Sequence, residues 1–215
     1  MSLRVEQLSL GPIGTNCYVV RRELGASEAV VVDPSGDATE LRLTLAHMGA
    51  RCDGILVTHG HWDHLLGVAD LADGTGASVY MPEGERAALE SPAGSTPAGV
   101  SLRPHAPDVL LLGGETIEVA GITFDVRSVP GHSPAHLAYY ADGCLFSGDV
   151  LFAGSVGRTD LPGAGRDALV SSIQPLVEAY PPETVVYPGH GPATALGHEL
   201  DHNPFLAELR AERAG

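Results

Sequence analysis

The chain has 215 residues, of which 44% are hydrophobic and 18% are charged; its formal net charge is −15, and it contains arginine but no lysine. This balance excludes a disordered chain and fits one globular domain, residues 1–215, with a substantial buried core. An acidic chain without a basic run is a poor candidate for binding nucleic acid or an anionic membrane, so we expect neither as a partner.

Cysteine usage indicates a reducing compartment. Cys17, Cys52 and Cys144 are far apart and form no C-x-x-C pair, so a disulfide framework is not expected and each is interpreted as a small buried apolar residue. Residues 1–10 lack the basic start and apolar block of a signal peptide, and no apolar run is long enough to span a bilayer. We therefore expect a cytoplasmic protein, whose oligomeric state the sequence leaves open.

The first half of the chain predicts a sheet with helices in its connections. Its apolar segments predict strands at residues 4–10, 17–20, 29–32, 54–58 and 77–81. A helix that Ser35 or Asp37 can cap follows the third strand and reaches Met48. Further helices are expected at about 64–72 and 83–90.

The second half opens on a long irregular segment and then repeats the pattern of the first. Residues 91–108, rich in Pro, Gly and Ser, form either a lid near a site or a surface loop, and their length favours a lid. Helices are expected at 167–179 and 202–214, and strands at 109–112, 116–119, 122–129, 137–140, 144–147 and 184–187. Because each half runs from strands into helices, we predict an α/β fold of two sheets with helices outside both.

Residues 58–64, with the sequence Thr-His-Gly-His-Trp-Asp-His, concentrate four metal-ligand side chains directly after a buried strand. In an extended backbone the side chains of His59 and His61 point to the same side of the chain. Asp63 and His64 follow where the chain must turn. This geometry can direct two ligands at one metal ion and two at a neighbouring ion. Imidazole and carboxylate suit zinc, iron or manganese, and such a cluster is rarely accidental.

Three more candidate ligands, His132, Asp149 and His190, each follow a predicted strand and sit beside glycine. Glycine lets the backbone bend sharply there, so all three side chains can converge on one sheet edge. Asp33 also ends a strand, and it is either a functional group or a turn carboxylate that bonds local N–H groups.

The remaining histidines lack this context. His136 opens a strand, and we expect it to bond locally or to orient a ligand. His105 is interpreted as solvated, and His47, His198 and His202 as residues that bind no metal.

Four segments resemble, in order, the metal motifs of the metallo-β-lactamase superfamily: 58–64, 131–133, 147–149 and 189–191. The resemblance is closer to short glyoxalase II-like hydrolases, on the motifs at 11–18, 157–163 and 203–206. It implies an αββα sandwich of two mixed sheets and two divalent metal ions, with zinc as the first choice and iron or manganese as alternatives. By resemblance, one ion takes His59, His61 and His132, the other takes Asp63, His64 and His190, and Asp149 bridges them.

The implied activity is hydrolysis of a small-molecule thioester or ester, with S-lactoylglutathione as the leading type. Two cations that share a water lower its pKa and supply hydroxide near neutral pH, which Asp63 can orient. True β-lactamases of the superfamily usually have cysteine among the second-site ligands, so the His/Asp set argues against that activity. Arg158 can bind a substrate carboxylate or form an internal salt bridge to Asp160 or Asp149.

Two features limit the substrate prediction and leave alternatives. Glyoxalase II adds a helical domain whose basic residues grip glutathione, whereas this chain has about one helix after Pro192 and no lysine. The motif at 157–160 also resembles persulfide dioxygenases, and the three ligands of their single iron would correspond to His59, His132 and Asp149. Trp62 and the continuation at 161–163 favour the hydrolase. A non-enzymatic metal-binding protein is a third class, but none of the seven ligands is missing.

Overall fold

The computed structural model describes residues 3–92, 96–207 and 209, and its first half forms a six-stranded sheet. The strands are β1 (Arg4–Leu10), β2 (Thr15–Arg21), β3 (Glu28–Val32), β4 (Arg51–Leu56), β5 (Ser78–Pro82) and β6 (Val109–Leu111). They pair in sequence order, antiparallel from β1 to β3 and parallel from β3 to β6. The helices that connect the parallel strands are α1 (Ala38–Met48), α2 (Trp62–Leu65), α3 (Val68–Thr75) and α4 (Ala87–Glu90).

The second half forms a second six-stranded sheet. Its elements are β7 (Thr116–Val119), β8 (Ile122–Ser128), β9 (Leu137–Ala141), β10 (Cys144–Gly148), the hairpin strands β11 (Leu151–Phe152) and β12 (Ser155–Val156), α5 (Arg166–Ala179), β13 (Val185–Pro188), β14 (Thr194–Ala195) and α6 (Leu196–His202). The order is β14-β13-β10-β9-β8-β7, with β10 and β13 parallel and the other neighbours antiparallel. The β11–β12 hairpin stands apart from both sheets.

Three apolar layers hold the two sheets and their helices together. Strand β2 is buried along its whole length because both of its faces are covered. Cys17 and Val19 pack on the side of α1 and α3, whereas Tyr18 and Val20 pack against the second sheet, as alternating side chains of a strand must. A third layer packs α5 and α6 on the outer face of the second sheet. The predicted α/β sandwich of two mixed sheets with helices outside both is confirmed.

Three predicted boundaries are wrong. The helix expected at 64–72 is two helices, α2 and α3, because the Gly67 N–H donates to the Pro34 carbonyl at 2.8 Å instead of continuing one helix. Strand β4 begins at Arg51 because it pairs with β3 from that residue onward. The helix expected at 202–214 does not begin at His202, where the unpredicted helix α6 ends; a short 3-10 turn at 204–206 follows, residues 207 and 209 are helical, and 208 and 210–215 lie outside the described residues.

Residues 96–108 precede β6 and contact helix α3. Arg103 forms ion pairs with Asp70, at 2.6 Å, and with Asp73, both on α3, and Leu102 is buried. This part of the predicted lid is therefore tied to the body of the protein. In the described part of the chain no helix combines the length and the apolar character needed to cross a bilayer.

Candidate metal centre

The first group of candidate ligands consists of His59, His61 and His132. His59 and His61 follow β4, whereas His132 follows β8 in the other sheet. The Nδ1 of His61 lies 3.0 Å from His59 Nε2 and 2.9 Å from His132 Nε2, so three ring nitrogens converge on one point. The opposite nitrogen of His59 is 2.9 Å from the Thr58 hydroxyl, and that of His132 is 3.0 Å from the Arg158 carbonyl oxygen. These contacts aim the free nitrogens at each other.

The second group consists of Asp63, His64 and His190. Asp63 and His64 lie on the short helix α2, and His190 follows β13. The Nε2 atoms of both histidines lie 3.3 Å from Asp63 Oδ2. In each of the two groups one ligand atom per residue lies within 4.8 Å of the others, a spacing that can hold a metal ion.

Asp149, at the end of β10, lies between the two groups. Its Oδ2 is 3.4 Å from His132 Nε2 in the first group and 3.6 Å from His190 Nε2 in the second, and its Oδ1 is 3.5 Å from His64 Nε2. The structure therefore brings together all seven side chains that the sequence singled out. A carboxylate in this place can bridge two cations.

The donor set fits a pair of divalent cations on three observations. Nitrogen and oxygen ligands of this kind suit zinc, iron and manganese. His64 Nε2 and Asp149 Oδ1 are buried and make no hydrogen bond, and such atoms are costly unless something else binds them. Finally, a Cβ on Gly189 would lie 2.1 Å from Asp149 Oδ1 and 2.7 Å from His64 Cε1, so the backbone approaches the ligands as closely as only glycine allows.

Burial and neighbouring charges act differently on the imidazoles. Burial, followed by the neighbouring histidines, lowers the pKa of His59 well below its usual value. Burial also opposes a charge on His64, but the carboxylates of Asp33 and Asp149 raise its pKa well above the usual value. For Asp149, burial is outweighed by His64 and His190, and the pKa of this carboxyl is lowered. Burial likewise lowers the pKa of His61, so His59 and His61 favour neutral imidazole, the form that binds metal, and Asp149 favours the carboxylate.

Several residues that hold these ligands carry no local sequence signal. The Thr15 hydroxyl donates to Asp63 Oδ2 at 2.8 Å from 48 residues away. The Asn16 amide donates to the carbonyls of Pro188, at 2.9 Å, and Gly191, at 2.8 Å, and so anchors the loop that carries His190. These contacts give the motif at 11–18 a structural role, because Thr15 holds Asp63 and Asn16 holds the His190 loop.

The two open interpretations of Asp33 are decided by its partners. Its Oδ1 accepts from the Thr58 N–H at 2.8 Å, and its Oδ2 accepts from the Thr58 hydroxyl at 2.7 Å and lies 2.9 Å from His64 Nδ1. Asp33 is therefore more than a turn carboxylate. It orients a candidate ligand and fixes the start of the loop that carries His59.

His136 lies against the centre without belonging to it. Its Nε2 accepts from the Asp149 N–H at 3.1 Å, and its ring stacks on His59 with centroids 4.6 Å apart, as expected of a residue that orients ligands. His198 and His202 stack on each other, and neither they nor His47 join a described ligand group. His105 is half-buried instead of fully solvated.

A cleft of about 830 Å³ opens onto the two ligand groups. Residues 96 and 97, which belong to the segment expected to form a lid, border the cleft. Their position supports the lid, which stays a prediction. Arg158 also lies at its edge, where Nε and Nη2 donate to Asp160 at 2.7 and 2.8 Å in an exposed salt bridge. A role for Arg158 in binding a substrate carboxylate stays a prediction. Most of the remaining wall is apolar: Ile13, Trp62, Phe152, Val156, Leu161 and Pro162.

Solved structures of similar proteins share this architecture. BLEG-1, described as a B3 metallo-beta-lactamase, aligns with a TM-score of 0.89 and 40% identity over 95% of this chain and 100% of that one. ETHE1 from Myxococcus xanthus aligns with a TM-score of 0.77 and 26% identity over 95% and 85% of the two chains. TTHA1623, in a di-iron-bound form, aligns with a TM-score of 0.70 and 37% identity over 94% and 100%.

Sequence comparison gives the same relationship. The chain is 29% identical over 210 residues to hydroxyacylglutathione hydrolase GloC of Haemophilus influenzae, which covers 95% of this chain and 98% of that protein. The sequence profile of the metallo-beta-lactamase superfamily matches residues 10–190, from the end of β1 to the last of the candidate ligands. With its sandwich of two mixed sheets and its His/Asp ligand groups, this protein belongs to the metallo-β-lactamase superfamily.

Proposed function

We propose that the protein is a metal-dependent hydrolase of thioesters or esters, of the glyoxalase II type that acts on S-lactoylglutathione. The observation that carries this proposal is the convergence of seven His and Asp side chains into two groups with Asp149 between them. The likeness to a hydroxyacylglutathione hydrolase supports the choice of a thioester. The reaction class follows from the site, and the particular substrate from the relative.

The two ligand groups support the following arrangement of metal sites. His59, His61 and His132 would hold one divalent ion, Asp63, His64 and His190 a second, and Asp149 would contact both. When bound, such ions supply an activated water and polarise the carbonyl to be attacked. Zinc is our first choice, and the di-iron-bound form of TTHA1623 keeps iron as an alternative.

The surrounding residues prepare the site for this chemistry. Asp63 lies at the cleft and is held by Thr15, so one oxygen is fixed while the carboxylate can accept a proton or a hydrogen bond from the attacking water. The apolar wall formed by Trp62, Phe152 and Leu161 can take up the acyl group and exclude bulk water. A thiolate is a good leaving group, so no strong general acid is needed beside it.

The test combines metal content with substrate assays on protein purified without chelator. We expect two metal ions per chain and hydrolysis of S-lactoylglutathione, loss of activity on chelation and its return when metal is restored. Asp149→Ala should lose the bridging carboxylate and reduce turnover to background. Failure to hydrolyse any thioester or ester in a panel, with two ions verified in the wild type, would contradict the proposal.

Two alternatives have a specific observation in their favour. The likeness to ETHE1 supports a persulfide dioxygenase that uses His59, His132 and Asp149 around one iron; one iron per chain and oxygen uptake with glutathione persulfide would favour it. The likeness to BLEG-1 supports lactam hydrolysis, although the His/Asp ligand set led us to expect none. A chromogenic cephalosporin assay separates that activity from thioester hydrolysis.

A further inference from the structure

Glu85, in the 3-10 turn after β5, joins the two loops that carry the first ligand group. Its Oε2 accepts a short hydrogen bond from the Gly60 N–H, and its Oε1 accepts from the Ser133 hydroxyl at 2.5 Å and from the Ala135 N–H at 2.9 Å. Gly60 lies between His59 and His61, and Ser133 follows His132. One half-buried carboxylate therefore bonds to the chain on both sides of this group.

These hydrogen bonds of Glu85, here called the tether, matter because the two loops belong to different sheets. His61 and His132 are 71 residues apart, yet their ring nitrogens must stay 2.9 Å apart to face one ion. Hydrogen bonds to an ionised acceptor are stronger than those between neutral groups. Loss of a residue that orients metal ligands typically costs about 10–100-fold in metal affinity.

The packing around the tether is close on both sides. A Cβ on Gly60 would lie 2.9 Å from Glu85 Oε2 and 3.0 Å from Ala88 Cβ, and one on Gly84 would lie 2.8 Å from Ala135 Cβ. Both glycines thus allow the turn that carries Glu85 to touch the two ligand loops. These short distances are a second observation, besides the hydrogen bonds, that the turn with Glu85 packs closely against the His59–His61 loop and the His132 loop.

We propose that Glu85 is a positioning residue that fixes the spacing between the His59–His61 loop and the His132 loop, and thereby sets the affinity of this group for its metal ion. The proposal rests on the metal binding assumed in the proposed function. It is specific to one group, because Asp63, His64 and His190 are held by other residues, Thr15, Asp33 and Asn16.

The test is a titration of metal-free protein with Zn²⁺, and separately with Co²⁺, whose absorption reports ligand geometry. In Glu85→Gln the size is kept, but only one oxygen remains, so both loops cannot be held at once. We expect one binding step to weaken about 10–100-fold, with a changed Co²⁺ spectrum in that step and the other step unchanged. Glu83→Gln, an exposed glutamate on the same turn, is the matched control and should behave as wild type.

Unchanged affinity and spectrum in Glu85→Gln would overturn the proposal. A lower melting temperature of the metal-free variant with unaltered metal binding would overturn it too, since that pattern shows support of the fold alone. If Glu85→Gln does not fold, Ser133→Ala, which removes one of the three donors, decides: a smaller loss in one step supports the proposal, and none overturns it. A wild-type chain that binds neither ion would overturn this proposal and the metal sites of the proposed function together.

Discussion

At the scale of single residues, the metal centre depends on side chains that fix the ligands from behind. Asp33 is the clearest case, because both of its oxygens are engaged, by Thr58 and by His64. Its backbone has a φ of 48°, in the left-handed region that Asp and Asn tolerate better than most residues. Asn can therefore replace Asp33 and remove its charge without straining the backbone.

We expect Asp33→Asn to weaken metal binding by the Asp63–His64–His190 group about 10–100-fold. The amide keeps the shape but removes the negative charge, which is a main reason that the pKa of His64 is raised, and it cannot accept on both sides. Isothermal titration of the metal-free protein with Zn²⁺ measures the change.

Asp142→Asn is the matched control for this substitution, since Asp142 has a φ of 44° in an exposed turn away from the centre. Equal Zn²⁺ affinities for wild type and Asp33→Asn would show that Asp33 does not affect metal binding through His64.

At the scale of secondary structure, ligands are delivered by the segments that follow β4, β8, β10 and β13: loops, and after β4 also the short helix α2. Each loop must bring backbone close to another loop, and Gly189 marks the tightest approach to the ligand atoms. Its N–H donates to the Gly148 carbonyl at 2.8 Å, one residue before Asp149. The end of β13 is thus fixed directly to the end of β10.

If the two proposed metal ions are bound, Gly189→Ala should lose at least one of them and its turnover. The added methyl would lie 2.1 Å from Asp149 Oδ1, so this carboxylate or the His190 loop must move. Metal analysis after dialysis reports the loss. The control is Gly165→Ala, where the backbone is extended and the nearest atom to an added methyl is 3.9 Å away; full metal content in Gly189→Ala would refute the expectation.

The β11–β12 hairpin places Phe152 and Val156 on the cleft, and α6 holds the hairpin in position. Glu199, buried on α6, accepts from the Gly154 N–H at 2.8 Å and from the Asn203 amide at 2.8 Å. The Asn203 amide also donates to the Ser155 carbonyl at 2.9 Å. The motif at 203–206 therefore contributes to the wall of the cleft.

We expect Glu199→Gln to raise KM about tenfold, which corresponds to about 1.4 kcal/mol and is the scale of one weakened hydrogen bond. Both kcat and metal content should stay near wild type, because Glu199 accepts hydrogen bonds from Gly154, Thr194 and Asn203, none of which is a ligand or lies next to one. Steady-state kinetics on the thioester substrate gives the two constants. Asp201→Asn, exposed on the same helix, serves as control, and an unchanged KM or a fall in kcat alone would argue against this role of the hairpin.

At the scale of the whole molecule, the candidate metal centre lies where the two sheets meet. The first sheet supplies four of the ligands, residues 59–64, and the second supplies His132, Asp149 and His190. Cations shared between these groups would join the two halves of the sandwich. Because an ion that binds only the folded state stabilises it, metal binding should contribute to stability.

Removal of metal should therefore lower the melting temperature. At a free metal concentration of about 100 times Kd, one site stabilises by about 2.7 kcal/mol, and at this chain length each kcal/mol shifts the melting temperature by about 2–4 °C. Calorimetry with chelator and with added Zn²⁺ measures the difference. Asp149→Ala should lose most of it, and identical melting temperatures in the wild type would contradict joining of the two halves by metal.

The sequence by itself determined the sandwich of two sheets and the seven candidate ligands, because strand periodicity, glycine turns and the spacing of residues 58–64 are local signals. It missed the β11–β12 hairpin, whose two-residue strands are too short to show a period, and it missed the short helix α6. The tertiary structure alone decided the roles of Thr15, Asp33 and Glu85. Their partners lie 25 to 50 residues away and meet them only through sheet pairing and sheet packing, which leave no pattern in neighbouring residues.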